Sequence, residues 1–276
     1  MLKDLMIELI NKNDFQNKEK LKSLLLPTIG FKLNRGIAEI TSSKVGGYPP
    51  IFENNWPLYQ GEKMSFWGQI SLSQISKIND LLPKDGILCF FVYTGDIGYR
   101  YPNKKGEFKV VYIENVDDMT SGNKFGSIKI IDERQISFFE YFTFPSYQES
   151  IIERENITNE ELETIEEIES EILFRINENC ETEHQLLGYP RALQGTVNFW
   201  WAVKYLGIEE KESYTEIEIK SIKSEVENFI LLLQTNFGDS EIEIDYLGDS
   251  VAYFGIHKKD LQNRNFDNVI LVMQNT

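Results

Sequence analysis

The sequence predicts a mainly β protein with added helices, an α+β class, whose antiparallel strands fall into two related β units. Three observations lead there. Short apolar or alternating runs are separated by turns containing Gly and Pro, at the spacing of antiparallel strands. A few other stretches instead carry apolar residues at helical spacing. Finally, three landmarks occur twice in the same order. They are Gly47-Tyr48-Pro49 and Gly188-Tyr189-Pro190, a Gln closing an apolar run (Gln69 and Gln234), and a Gly opening an aromatic strand (Gly86 and Gly248). The chain therefore reads as one domain over residues 1–276. Within it lie N-terminal helices (1–28), a first β repeat (41–145), an acidic helix (150–180) and a second β repeat (184–276).

Leu2, Leu5, Met6, Leu9 and Ile10 mark a first helix. Asn13 and Asp14 end it and can cap a second, carrying Leu21, Leu24 and Leu25, which Pro27 should close. A first strand is expected from Phe31 to Ile40, interrupted at Gly36. Ser43–Pro50 reads as a loop, because Gly46-Gly47 and Pro49-Pro50 exclude regular structure. It fits either a sharp turn or a ligand-cradling turn. Ser65–Ile70 is a strand, and period two sends Trp67 and Gln69 to one face and Phe66, Gly68 and Ile70 to the other.

Leu72, Ile75 and Ile78 suggest a short helix. Pro83–Gly86 is a turn with Gly86 as its left-handed residue, and Ile87–Tyr93 is apolar enough to be a central strand. Phe108–Ile113, Ser127–Ile131 and Ile136–Phe144 follow as strands. Residues 149–171 hold ten Glu and one Arg, yet Leu162, Ile165, Ile168, Ile172 and Ile176 keep a helical apolar stripe. Thr158 and Glu161 make a capping box, so this is a docked helix with its Glu residues in water. In the second unit, Phe199–Tyr205 reads as a helix and residues 207–224 as a charged surface insertion. Asn228–Gln234, the alternating Ile242, Ile244 and Tyr246, Val251–Ile256 and Val269–Met273 read as strands.

Composition limits the function. A hydrophobic fraction of 41% and an aromatic fraction of 13% can fill a core. With 44 acids against 28 bases the net charge is -16, which repels phosphate backbones and argues against nucleic acid. The N-terminal residues carry charges where a leader peptide needs an apolar run. The aliphatic run Phe229–Leu233 is far too short to span a bilayer, so no membrane association is expected. The two cysteines, Cys89 and Cys180, indicate no disulfide framework, and a cytoplasmic location is expected.

Catalytic motifs are sparse. The sequence has no Gly-x-Gly-x-x-Gly, no phosphate loop and no Gly-x-Ser-x-Gly. His184 and His257 lie far apart with no adjacent thiols, so neither metal nor cofactor is expected. His184 reads as a hydrogen-bonded structural residue, with a ligand or catalytic role as the alternative. A Cys180–His184 dyad is conceivable, but the neighbouring glutamates oppose a reactive thiol. Asp245 and Asp249 suit capping of backbone amides better than a carboxylate pair. Gln69 and Gln234 each end an apolar strand with an amide that must be satisfied if buried, either by the nearby Gly-Tyr-Pro loop or by a ligand.

Laid end to end, several pieces resemble the YwqG-like family, bacterial proteins of uncharacterised function. These are Ser43-Lys44-Val45-Gly46-Gly47-x-Pro49, Trp56-Pro57, Trp67-Gly68-Gln69-Ile70 and Leu82-Pro83-x-x-Gly86-x-Leu88-x-Phe90-Phe91. The set continues with His184-x-Leu186-Leu187-Gly188-x-Pro190, Leu231-Leu232-Leu233-Gln234, Gly248-Asp249 through Phe254, and Asp260-Leu261 with Phe266. The resemblance covers roughly residues 40–275, and the motifs are far more specific as a set than singly. Leu247 and Val251 stand where the family pattern has a Trp and a second Gly, which counts against an intact ligand loop there. The resemblance implies a mainly β, roll-like fold with helices added, and it supplies no catalytic residues.

Together these readings lead to a non-catalytic binding or interaction module with an unidentified protein or small-molecule partner. One version is an acidic inhibitor of a basic partner. The alternative is a hydrolase-type enzyme with a cleft between the two β units. The candidate site is Gly47, Tyr48, Trp56, Trp67, Gln69, His184, Gln234 and Asp249. The aromatics would wall a groove, and the amides, His184 and Asp249 would supply its polar contacts.

Overall fold

The computed structural model describes residues 2–51, 55–96, 101–115, 131–146, 149–176, 184–239, 241–242 and 248–275. Its centre is a ten-stranded antiparallel sheet. Two ten-residue strands, β1 (Leu26–Arg35) and β8 (Arg134–Thr143), pair along their full length in the middle. Outward from β8 lie β2 (Lys44–Val45), β5 (Ser65–Ser71), β6 (Ile87–Val92) and β7 (Phe108–Ile113). Outward from β1 lie β9 (Gln185–Leu187), β10 (Phe229–Asn236), β11 (Ser250–His257) and β12 (Ile270–Asn275). A small hairpin, β3 (Leu58–Tyr59) with β4 (Glu62–Lys63), stands apart.

One apolar cluster draws on both ends of this strand order, from Trp67, Leu88 and Phe90 to Leu232, Phe254 and Leu271. Such a cluster requires the sheet to curl until its halves face each other. Phe90 and Phe254 meet across the interior with ring centroids 5.2 Å apart in an edge-to-face arrangement. The sheet is therefore nearly closed. Its outer faces are covered separately. Trp56 packs with Phe66, Cys89 and Phe91 on one side. Helix α6 (Val197–Tyr205) lays Trp201 on Leu231, Tyr253 and Val272 on the other. Ile87–Val92 is consequently buried on both faces although it is next to the outermost strand, not central.

A third layer is helical. Helices α1 (Leu2–Lys12) and α2 (Lys18–Ser23) pack with Phe142 and Phe144 against α5 (Asn159–Ile176). The expected acidic helix is thus two, α4 (Ser150–Glu155) and α5, broken at the left-handed Asn156. Leu162, Ile165, Ile168 and Ile172 are buried, and the Thr158–Glu161 capping box forms. Not every glutamate is in water: Glu161 also accepts from the Gln16 amide and Glu169 from the Phe144 amide.

Two strand expectations and one insertion need correction. The first strand starts at Leu26, not Phe31, and ends at Arg35. Pro27 sits inside it, at the end that β9 does not reach, so its missing N–H is not needed there. In β5 a bulge between Phe66 and Gly68 resets the alternation, so Trp67 joins Ile70 in the inner cluster. Residues 207–224 contain a docked helix, α7 (Glu216–Glu225), capped by Thr215 and Glu218 and burying Ile222. The short α3 (Leu72–Ile75) forms but stops before Ile78, which lies in the turn that follows, and Gly86 is left-handed as expected. Ser127–Ile130, Cys180 and residues 243–247, which include Ile244, Asp245 and Tyr246, lie outside the described residues.

Candidate functional site

Where the curled sheet fails to close, β7 and β12 face each other across a groove. Its main cavity has a volume of about 630 Å³, floored by Phe108, Tyr205, Val269 and Ile270. That is within the range of small-ligand sites. A second cavity of about 230 Å³ continues along β12 past Val272, Met273 and Gln274. Asn103, Lys204 and Glu210 line both, so the two form one trough. Lys204 divides it, donating to the Asn103 carbonyl at 3.2 Å and pairing with Glu210.

The walls are held rigidly. On the β7 side the fully buried Glu107 carboxylate accepts from the amides of Asn103 (3.1 Å) and Lys104 (3.0 Å) and from the Tyr59 hydroxyl (3.2 Å). This closes the 103–107 turn and leaves the Lys104 and Lys105 side chains exposed at the rim. On the other side Tyr205 stacks on His257 at 4.5 Å, and His257 is fixed by Glu225 at 3.1 Å and by the Lys259 amide. Burial pushes the Tyr205 hydroxyl above its ordinary pKa, with Asp260 adding to the effect. Helix α8 (Lys258–Gln262) supplies Asp260, which accepts from Asn265 and Asn268 and so sets the 266–268 turn. The edges are bridged by Lys109–Asp267 at 2.7 Å, by Arg264–Glu114 and by Tyr112 against Phe266.

The eight residues singled out by sequence do not converge, and none lines either cavity. Gly47 is left-handed (φ 67°), and a Cβ there would lie 1.9 Å from the Glu133 carboxylate, which pairs with the buried Lys44. Tyr48 and Trp56 belong to the outer cluster, with Trp56 donating to the Met64 carbonyl at 2.8 Å. Trp67 is in the inner cluster, its Nε1 buried without a partner. Gln69 donates to the carbonyls of Ile40 (2.7 Å) and Ser42 (2.8 Å), while Gln234 accepts from the Arg191 amide at 2.9 Å. Both amides thus tie loops that flank the Gly-Tyr-Pro turns. Asp249 is exposed beside Gly238.

His184 does meet an acid, but it is Asp239 rather than Asp249. Its Nε2 lies 2.8 Å from Asp239 and its Nδ1 3.0 Å from the Thr235 hydroxyl. The hydrogen bond from His184 holds the Asp239 carboxyl below its usual range. An ionised Asp239 can only accept, so Nε2 carries a proton; in a neutral imidazole Nδ1 then accepts from Thr235. A hydroxyl, an imidazole and a carboxylate in series are the parts of a hydrolytic triad. Here Thr235 is fully buried, and His184 is 3% exposed and stacked on Phe31 at 5.2 Å.

A family model described as a domain of unknown function, DUF1963, matches residues 43–274. The chain belongs to the DUF1963 family. No curated protein matches it. The DUF1963 match contains both Gly-Tyr-Pro turns, the trough and the His184 cluster, whereas α1, α2 and β1 precede it. Among the described residues of this DUF1963 protein no helix is long and apolar enough to cross a membrane. No group of three or more His, Cys, Asp or Glu among them is placed to hold a metal. The groove residues escaped the sequence reading. Their one local signal was the pair Lys104-Lys105 before Gly106, two adjacent cations in an acidic chain.

Proposed function

We propose that this DUF1963 protein is a YwqG-like, cytoplasmic, non-catalytic binding module whose recognition site is the trough between β7 and β12. The supporting observation is the groove itself: an apolar floor under a rim where Lys104, Lys105 and Glu209 carry exposed charge. A ligand with an apolar body and an anionic group fits it. Gly47, Tyr48, Trp56, Trp67, Gln69, His184, Gln234 and Asp249 then frame the fold rather than touch the ligand. The acidic remainder of the surface favours a cationic partner for a larger interface. A screen of aromatic and aliphatic carboxylate fragments by amide NMR tests this reading. Shifts should gather on Phe108, Lys204, Val269 and Ile270. Fragment hits confined to other surfaces would overturn it. The hydrolase reading draws on Thr235–His184–Asp239, and its mark would be ester turnover abolished by Thr235→Val.

We also infer that the halves are related units that have exchanged their first strands. Several features support this. The order outward from β1–β8 is matched on both sides. Bulges fall at Phe66/Gly68 and Leu231/Leu233, each just before its Gln. Two left-handed residues precede each Tyr-Pro, Gly46-Gly47 and Leu187-Gly188. On this reading β1 serves the second unit and β8 the first. Fragments 1–115 and 131–276 should then be unfolded when expressed singly and should copurify when coexpressed. Two independently folded monomers would refute the exchange.

A further inference from the structure

Among the described residues β7 and β12 are the edges of the sheet, each paired on one side only. No backbone hydrogen bond reaches the outer side of either strand among the described residues. Folded proteins usually block such edges, because a row of free N–H and C=O groups templates another strand. The outer side of β12 instead faces the trough, whose two cavities run from Val269 to Gln274. At about 3.3 Å per residue this is a length of about 17 Å.

Charge sets a direction. Lys104 and Lys105 lie at the Ile270 end of the trough, and neither forms an ion pair among the described residues; of the acids lining that end, Glu210 is paired with Lys204 and Asp267 with Lys109, which leaves two cations against Glu209. A strand added antiparallel to β12 runs towards Ile270 and ends there. Its terminal carboxylate would arrive at those two lysines. Resting on the binding reading above, we propose that β12 accepts an extended peptide as an added antiparallel strand, with the peptide's C-terminal carboxylate held by Lys104 and Lys105. Main-chain pairing then supplies affinity, and alternate side chains fill the apolar floor. Lys204, bridging Asn103 and Glu210 across the trough, must swing aside to admit the strand.

The test is a displayed library of random peptides of about seven residues with free C-termini, selected on the full chain. Enriched sequences are then titrated as free acids and as amides. The free acid should bind at least about tenfold more tightly. Lys104→Ala with Lys105→Ala should erase that difference; both side chains are exposed, so folding is not at risk. N-methylation of every second peptide amide should abolish binding while the intervening positions tolerate it, the signature of strand pairing. Lys204→Met should tighten binding. Peptides indifferent to amidation and showing no alternation, or no enrichment at all, would overturn strand addition. If carboxylate fragments still shift Phe108, Val269 and Ile270 in that case, the groove remains a ligand site and only the strand mode fails. If neither fragments nor peptides reach those residues, both readings fall together.

Discussion

Ile168→Asp should destabilise the protein by about 4 kcal/mol, through loss of apolar packing and burial of an unpaired carboxylate. Ile168 is 3% exposed and sits in the middle of the α5 stripe, among Ile165 and Ile172 and the helices α1 and α2. No cation reaches this cluster's interior among the described contacts; Lys3 lies over the ring of Phe142 at its border. The aspartate must either stay protonated or drive α5 off the sheet. For a chain of this length the melting temperature should fall by roughly 10 °C. Because the helical cluster is separate from the inner one, hydrogen exchange should show α1 and α5 losing protection before β5, β6, β10 and β11. An unchanged melting temperature would mean that the helix is only loosely attached.

The elements legible in the sequence are those whose signal is local. The α5 stripe, the Thr158–Glu161 cap, the Gly86 turn and most strands follow from periodicity and turn chemistry alone. What escaped depends on register and on long-range return. One inserted residue in β5 put Trp67 on the face opposite to the one alternation assigns, and thereby separated it from Tyr48 and Trp56. His184 found Asp239 rather than Asp249, because spacing along the chain does not reveal which loop folds back on the strand. The trough was invisible for the same reason: Lys104 with Phe108, Tyr205 and Ile270 come from three distant segments that only the curl of the sheet brings together. The paired Gln residues lie between these cases. Their need for partners was readable from the strand ends, but not which loop atoms would meet it.

That need sets the second large effect. Replacing Gln69 and Gln234 together by Leu keeps bulk and removes both amides. Leu at position 69 leaves the Ile40 and Ser42 carbonyls without their buried donor; at position 234 it strands the Arg191 amide. These bonds are part-buried, so each abandoned partner should cost about 1 kcal/mol, the low end for such a loss, and the three together roughly 3 kcal/mol. Part of the loss at position 69 is returned, since Gln69 Oε1 is itself buried without a partner and its removal is favourable. The single variants should therefore be closer in stability than a count of two bonds against one suggests. Neither side chain lines the trough, so binding of a groove ligand by the folded double variant should be unchanged. Thermal unfolding and a titration of the same sample separate the possibilities. A large drop in melting temperature with affinity intact marks the amides as ties that hold the two Gly-Tyr-Pro turns to the sheet. Unaltered stability with affinity lost would place the recognition site at the amides instead of at the open edge of β12.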